Sequence, residues 1–134
     1  MGSEYVPLKE LFARCDFVSL HVPANASTRH LVSREILAAA KPGLILINTA
    51  RGPVVDSEAL AEALESGRLA AAGLDVFDTE PPLAADYALM RCRGTVLTPH
   101  IAYRTRESME LRAAIVFRNI ECYLSGKPQN VCGA

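Results

Sequence analysis

The sequence lacks an excess of charge of either sign, because 14 Lys and Arg residues are balanced by 15 Asp and Glu residues, leaving a formal net charge of -1. A protein that binds nucleic acid or an anionic membrane by electrostatics carries a basic patch or stripe. The composition therefore predicts neither nucleic acid nor a membrane as a partner. It favours a small, weakly charged ligand instead.

The sequence also lacks paired cysteines and long apolar runs. The cysteines are scattered, with no Cys-x-x-Cys pair and no histidine at zinc-finger spacing: Cys15, Cys92, Cys122 and Cys132. This pattern indicates reduced thiols and predicts no metal site. No uninterrupted apolar stretch approaches the ~18 residues of a transmembrane helix, and the first residues lack the pattern of a signal peptide. We therefore expect a globular cytoplasmic protein.

What the sequence does contain is 50% hydrophobic residues, enough to fill one core. Apolar and β-branched runs predict four strands, at Asp16 to Pro23, Leu44 to Thr49, Ala71 to Phe77 and Thr95 to Thr98. The Leu44 run is apolar without alternation, which is typical of a strand covered on both faces.

Helical spacing and capping residues separate these strands. Helices are predicted from Pro7 to Cys15, after a Ser33 cap, between an Asp56 cap and Gly67, and between a Thr105 cap and Gly126. Strands that alternate with helices of this length form βαβ units with right-handed crossovers. The fold class is therefore expected to be α/β, a parallel sheet with helices on both faces.

In such sheets, ligands bind beyond the carboxyl ends of the strands. The segments that follow the strands are His21 to Pro23, Thr49 to Gly52, Asp75 to Glu80 and Pro99 to Ala102. The last three of these segments hold Arg51, the two carboxylates Asp75 and Glu80, and His100, respectively. This is how a catalytic site is assembled in this architecture, so the sequence predicts the site there.

Motifs in these segments resemble a known family. Asn48 to Asp56, Gly73 to Phe77 with Glu80 and Pro81, and Thr98 to Ala102 follow the order and spacing of its signatures. The chain resembles the D-isomer-specific 2-hydroxyacid dehydrogenases from Tyr5 to Val131. Members of that family open their nucleotide domain with a Gly-x-Gly-x-x-Gly loop and carry a separate substrate domain, and this sequence has neither. The resemblance therefore implies that residues 1–134 are the C-terminal part of a dinucleotide-binding domain, a Rossmann-like half-domain.

The resemblance implies a catalytic set of Arg51, Glu80 and His100. Histidine suits the base that removes a hydroxyl proton, because its unperturbed pKa of ~6.5 lies near working pH. The resemblance makes Glu80 the carboxylate that orients this ring, and Arg51 the planar donor that holds the substrate carboxylate. Without the resemblance, a lone histidine is more often a surface or core residue. His21 and His30 keep that interpretation.

The resemblance also implies NAD as cofactor. Asp75 is similar to the family residue that accepts a hydrogen bond from the nicotinamide carboxamide. The other cofactor-lining positions rest on the resemblance alone: Val22, Pro23, Thr49, Ala50, Arg51, His100 and Ala102. The residue that distinguishes NAD from NADP at the ribose follows the phosphate loop, which this sequence does not contain. The choice between NAD and NADP therefore stays open.

The implied function is a fragment of an NAD-dependent oxidoreductase that interconverts D-2-hydroxy acids and 2-keto acids by hydride transfer. A dehydrogenase-like NAD-sensing protein of the corepressor type and an inactive truncated remnant are the alternatives. The fragment alone is expected to be inactive. Absent flanking strands would leave a sheet edge and an apolar surface exposed, which predicts a homo-oligomer such as a dimer.

Overall fold

The computed structural model describes residues 3–79 and 82–132. The strands are β1 (Phe17–Leu20), β2 (Leu44–Asn48), β3 (Leu69–Leu74) and β4 (Thr95–Leu97). The helices are α1 (Leu8–Arg14), α2 (Arg34–Ala38), α3 (Ser57–Glu65) and α4 (Arg106–Leu124). Short 3₁₀ turns lie at Gly52–Val54 and Ala88–Met90. The chain divides into two compact units, Met1–His100 with β1 to β4 and α1 to α3, and Ile101–Ala134 with α4.

The strands among the described residues form a parallel sheet in the order β1-β2-β3-β4. The register aligns Leu20 with Asn48, Asn48 with Leu74, and Leu74 with Leu97. These are the last residues of their strands, so all four strands end in one row across the sheet. The segments that follow the strands consequently leave the same edge, as the alternation of strands and helices predicts.

The two faces of the sheet differ in burial. One face carries Leu44 and Leu46, which are fully buried and pack in the same core cluster as Phe12 and Leu60. The other face carries Ile45 and Ile47, which are only partly buried. No residue of β2 is exposed, so both faces of this strand are covered as its sequence predicts, one of them less completely than the other. Burial alternates along β2 because successive side chains point to opposite faces.

Several strand ends differ from the sequence prediction. β3 begins at Leu69 and ends at Leu74, two and three residues earlier than predicted. It begins early because α3 ends at Glu65 and a short turn leads straight into the sheet. It ends early because its pairing with both neighbouring strands ends at Leu74. Pairing limits β1 in the same way, since Leu20 is aligned with the last residue of β2.

Helix ends follow the sequence prediction more closely. The Asp56 carboxylate accepts a hydrogen bond from the Ala59 amide and caps α3, and Thr105 caps α4. Ser33 occupies the predicted cap position of α2, but its side chain makes no capping hydrogen bond to a described residue. All four cysteines are free, as predicted. Within the described ranges, no helix is long and apolar enough to cross a bilayer.

Candidate active site at the carboxyl edge of the sheet

Backbone hydrogen bonds join the chain segments just beyond β2, β3 and β4. The Asp75 amide donates to the Asn48 carbonyl at 3.0 Å, and the His100 amide donates to the Asp75 carbonyl at 2.8 Å. The Thr98 amide donates to the Leu74 carbonyl at 3.0 Å. The predicted site residues Asp75 and His100 are thereby held side by side at the edge where the strands end.

The turn that presents Arg51 is shaped by Asn48. This side chain is buried, with its amide nitrogen donating to the Arg51 carbonyl at 3.0 Å and its oxygen accepting from the Ala50 amide at 3.0 Å. A buried asparagine with both polar atoms bonded fixes a turn firmly, because breaking either bond would leave a buried polar atom unpaired. The Arg51 side chain itself is exposed, with Nη1 donating to the Ala50 carbonyl at 2.6 Å. The sequence reasoning did not assign Asn48 this role.

Gly52, the residue after Arg51, lies in a space too small for a side chain. A Cβ on Gly52 would lie 1.8 Å from the Phe77 carbonyl oxygen and 2.6 Å from the Asp78 amide nitrogen. The space is filled by the peptide bond that joins Phe77 to Asp78. Gly52 therefore lets the Arg51 turn pack against the start of the loop that leads to Glu80.

Asp75 is a buried carboxylate, with 3% of its surface exposed. Its Oδ1 accepts a hydrogen bond from Thr98 Oγ1 at 2.5 Å. Buried carboxylates require hydrogen-bond donors, so this hydroxyl holds the orientation of the Asp75 side chain. Thr98 is another residue that the sequence reasoning missed. Its signal in the sequence is that it is the first residue of the motif from Thr98 to Ala102.

His100 has a left-handed backbone, with φ of 56°. Residues other than glycine adopt this conformation at a cost of about 1 kcal/mol or more, and such strain clusters at active sites. Bonds from its amide to the Asp75 carbonyl, at 2.8 Å, and to the Thr98 carbonyl, at 3.1 Å, hold it there. The residue is half-buried. These two bonds therefore hold the His100 backbone in place three residues beyond the end of β4.

An open cleft of 530 Å³ lies where β1 and β2 end. Its lining includes four of the predicted cofactor positions, together with His21 and Ala24: Val22, Pro23, Ala50 and Arg51. The predicted residue Thr49 is exposed in the adjacent turn but is not part of this lining. His21 Nε2 lies 2.8 Å from Ser19 Oγ, so the ring has a local hydrogen-bond partner. This contact is consistent with the interpretation of His21 as a surface or core residue.

Two predicted site residues, Glu80 and Ala102, are not part of the cleft or of the hydrogen-bonded edge described above. Glu80 lies outside the described residues, as does Pro81. Ala102 belongs to the second unit, where it is exposed in the segment that precedes α4. Among residues 3–79 and 82–132, no group of three His, Cys, Asp or Glu side chains is arranged to hold a metal ion.

The cleft and the edge beside it fit one end of a dinucleotide. The cleft is apolar at Val22, Pro23 and Ala50, as a planar ring requires, and Arg51 supplies a cation at its border. Asp75 is a carboxylate whose orientation Thr98 holds, and a carboxylate is a suitable acceptor for an amide group. The sequence provides no glycine-rich turn for a pyrophosphate.

Comparison with known proteins identifies the family. The sequence profile described as "D-isomer specific 2-hydroxyacid dehydrogenase, NAD binding domain" matches residues 1–102. The chain belongs to this family. The resemblance that the motifs suggested, and NAD as the cofactor of the family's domain, are thus confirmed.

Relatives of the chain come from the same dehydrogenase family. It is 42% identical to a glyoxylate reductase from Thermococcus litoralis over 132 residues, which cover 98% of this chain and 39% of the relative. It is 50% identical to a hydroxypyruvate reductase from Thermotoga maritima over 106 residues, covering 78% of this chain and 35% of the relative. The chain thus spans about two fifths of the length of these dehydrogenases.

A solved structure confirms the predicted fold. The D-lactate dehydrogenase from Lactobacillus jensenii with NAD⁺ matches with a TM-score of 0.88 and 33% identity, over 97% of this chain and 43% of that one. The parallel-sheet, Rossmann-like architecture expected from the sequence is therefore that of this dehydrogenase family.

Proposed function

We propose that this chain is the nicotinamide-side part of an NAD-dependent oxidoreductase that interconverts D-2-hydroxy acids and 2-keto acids by hydride transfer. Residues 1–134 would form the C-terminal part of its dinucleotide-binding domain. The observation that carries the proposal is the hydrogen-bonded row from Asn48 through Asp75 to His100. It supports a site in which a cation, a buried carboxylate and a histidine act on one small molecule.

His100 is the proposed acid and base. During oxidation it removes the proton of the substrate hydroxyl, and during reduction it returns a proton to the carbonyl oxygen. Its strained and doubly anchored backbone supports this role, because proton transfer requires a ring held within hydrogen-bond reach of the substrate. Glu80, by family resemblance, is the carboxylate that orients the ring and stabilises its protonated form.

Arg51 is the proposed clamp for the substrate carboxylate. A guanidinium can donate two parallel hydrogen bonds to a carboxylate, which fixes both the position and the orientation of the acid. Its exposed side chain and its turn, held by Asn48, support this role. In this proposal the carboxylate binds at Arg51, and His100 exchanges a proton with the oxygen on the adjacent C2 carbon.

The proposed cofactor contacts are Val22, Pro23, Thr49, Ala50, Arg51, Asp75, His100 and Ala102. When bound, NAD supplies or accepts the hydride at its nicotinamide ring. The apolar cleft residues would exclude water from one face of that ring, and Asp75 would accept a hydrogen bond from its carboxamide. Because the chain has no glycine-rich turn for the pyrophosphate, we expect these residues alone to bind NAD weakly.

A cytoplasmic location and a homodimer complete the proposal. The free state of all four cysteines supports a reducing compartment. Phe17 and Val96, on the outer strands β1 and β4, are 65% and 67% exposed. Apolar side chains beside free strand edges favour association with a further chain or segment.

The decisive experiment is turnover by the complete protein that carries these residues. NADH oxidation should be measured with glyoxylate, hydroxypyruvate, pyruvate and longer 2-keto acids, and each D- and L-2-hydroxy acid should be tested in reverse. We expect reduction of at least one keto acid and oxidation of the D-isomer only. NADH binding without turnover of any acid would contradict the proposal and favour an NAD-sensing protein.

A further inference from the structure

The backbone of Gly52 packs directly against the backbone that follows β3. Gly52 is buried, and a Cβ there would lie 1.8 Å from the Phe77 carbonyl oxygen, 1.9 Å from the Phe77 carbonyl carbon and 2.6 Å from the Asp78 amide nitrogen. These three atoms belong to one peptide bond, which cannot turn aside as a flexible side chain can. The peptide bond between Phe77 and Asp78 therefore limits how far the Gly52 backbone can move in this direction.

Hydrogen bonds hold the turn that precedes Gly52. The Arg51 carbonyl accepts from Asn48 Nδ2 at 3.0 Å, and the Gly52 carbonyl accepts from the Val55 amide at 3.0 Å. Arg51 Nη1 donates to the Ala50 carbonyl at 2.6 Å, so the guanidinium is bonded to the same turn. The position of the guanidinium consequently depends on the backbone of this turn.

The peptide bond that contacts Gly52 is itself held by side chains. Ser57, the first residue of α3, donates to Asp78 Oδ2 at 2.5 Å. The Tyr87 hydroxyl donates to Ser57 Oγ at 2.9 Å, and the Tyr87 ring packs edge-on against Phe77 with ring centroids 6.0 Å apart. Partial burial raises the pKa of the Tyr87 phenol, so the hydroxyl stays protonated and remains a donor at neutral pH. One side chain, Tyr87, thus contacts Phe77 by packing and reaches Asp78 through Ser57.

We propose that Ser57, Asp78 and Tyr87 are positioning residues for Arg51. They hold the peptide bond between Phe77 and Asp78 against Gly52, and this contact keeps the Arg51 turn where its guanidinium receives the substrate carboxylate. The proposal rests on the proposed function, in which Arg51 binds the carboxylate of a 2-keto acid.

The positioning role predicts an effect on the substrate rather than on the cofactor. The proposed cofactor contact Ala50 is held separately, because its amide donates to Asn48 Oδ1 at 3.0 Å. Loosening the contact at Gly52 would therefore displace Arg51 more than Ala50. A paired guanidinium–carboxylate contact depends on the directions of two N–H groups, so a small displacement weakens it.

Gly52→Ala tests the contact directly, because its methyl group fits only if the turn or the peptide bond moves. In the complete protein, the KM for the 2-keto acid that the wild type reduces fastest should rise about tenfold, while the KM for NADH changes less than about threefold. Gly73→Ala is the matched control, because a Cβ on Gly73 in β3 would meet no atom within 4 Å. An unchanged KM for the 2-keto acid, or equal rises for both ligands, would overturn the proposal.

Tyr87→Phe tests the role of the side chains and does not depend on whether Gly52→Ala folds. It keeps the ring that packs against Phe77 and removes only the hydroxyl. We expect the KM for the same 2-keto acid to rise about threefold, less than for loss of the planar donor pair of Arg51. Ser57→Ala should give a similar rise, and Ser57→Thr, which keeps a hydroxyl, should stay close to the wild type. Tyr123→Phe is the control, because Tyr123 is 73% exposed on α4.

Combination with Arg51→Lys separates positioning from general destabilisation. If the contact acts through Arg51, Gly52→Ala should raise the KM for the 2-keto acid less than about twofold in the Arg51→Lys background, because coupled residues are not additive. The same tenfold rise in both backgrounds would overturn the proposal. So would a wild-type KM in both Tyr87→Phe and Ser57→Ala.

A further measurement does not depend on activity. The Val55 amide, which donates to the Gly52 carbonyl, should exchange its hydrogen faster in Tyr87→Phe, while exchange in β2 and β3 stays unchanged. Unchanged exchange at Val55 would overturn the positioning role by itself. A wild-type protein that reduces no 2-keto acid would instead overturn the proposed function, so the two failures are distinguishable.

Discussion

Helices α3 and α4 carry the same local signals but differ completely in burial. An acceptor side chain caps each of them, Asp56 for α3 and Thr105 for α4, where Ser108 completes a reciprocal capping box. Apolar residues recur at helical spacing in both. Yet five of the nine α3 residues are buried, whereas none of the 19 residues of α4 is buried in the described chain.

Helix ends are therefore encoded locally, whereas helix burial is not. A cap acts on amides within one turn, so its residues are visible in a short stretch of sequence. Burial of Leu60 requires partners such as Phe12 and Leu44, which lie far away along the chain. Apolar residues of α4, including Leu111 and Phe117, are exposed. They form a surface that is not covered by the residues next to α4 in the sequence.

The substitution His100→Ala is expected to have the largest effect, and it tests whether the chemistry belongs to the unit that contains α3. In the complete protein, His100→Ala should lower kcat by about two to four orders of magnitude, the usual range for losing a general acid and base. The control is His30→Asn, since His30 is exposed and also has a positive φ, which asparagine tolerates. Steady-state turnover of 2-keto acids measures both. His100→Ala activity within threefold of the wild type would remove His100 from the mechanism.

Matched truncations in the two helices sharpen the contrast in burial. Leu60→Ala should lower the free energy of unfolding by about 2–5 kcal/mol, because Leu60 is fully buried and a cavity would remain. Phe117→Ala should change it by less than about 0.5 kcal/mol, because Phe117 is 68% exposed. Urea unfolding of the 134-residue chain gives both values. A comparable loss for Phe117→Ala would mean that α4 is covered in solution, and sedimentation would then identify the association.

The fold was more predictable from sequence than the exact strand ends. Alternating apolar and capping patterns predicted the order of the strands and helices, because each pattern lies within one element. Strand ends depend on the neighbouring strand, and β3 consequently ends at Leu74, where its pairing stops, although the sequence predicts a strand as far as Phe77.

Some residues of the candidate site could be predicted from the sequence, and others could not. Asp75, Arg51 and His100 could be singled out because each follows a strand and carries a chemically informative side chain. Asn48 and Thr98 could not, because they act through hydrogen bonds to other residues, and Thr98 lies 23 positions from Asp75. The catalytic roles of Arg51, Glu80 and His100 stay predictions.

A smaller effect distinguishes the geometry of Arg51 from its charge. Arg51→Lys keeps the cation and loses the planar pair of donors, so the KM for a 2-keto acid should rise about tenfold while NADH binding changes less than about threefold. Arg68→Lys is the control, a conservative change at an exposed arginine that precedes β3. Kinetics and NADH fluorescence titration supply the two numbers. Equal losses for both ligands would place Arg51 outside the substrate site.

The smallest expected effect concerns a surface ion pair of α3. Arg34 on α2 donates through both guanidinium NH₂ groups to the two Glu62 oxygens, one at 2.8 Å, and this contact lowers the pKa of Glu62. The folded chain therefore favours the ionised carboxylate. The pair stabilises above the ordinary Glu pKa of about 4.3, and this contribution is lost as the pH falls through the lowered folded-state value.

Glu62→Gln should accordingly lower the Tm slightly at neutral pH, and the difference from the wild type should shrink as the pH falls below about 4. High salt should also reduce it, because both side chains are exposed. Glu110→Gln provides the comparison on α4, where the bond to Arg106 stays within one helix. Because Arg34 and Glu62 join two helices, Glu62→Gln should cost more than Glu110→Gln. Calorimetry between pH 3 and 7 that gave the opposite order would show that α4 depends on its surface charges more than α3 does.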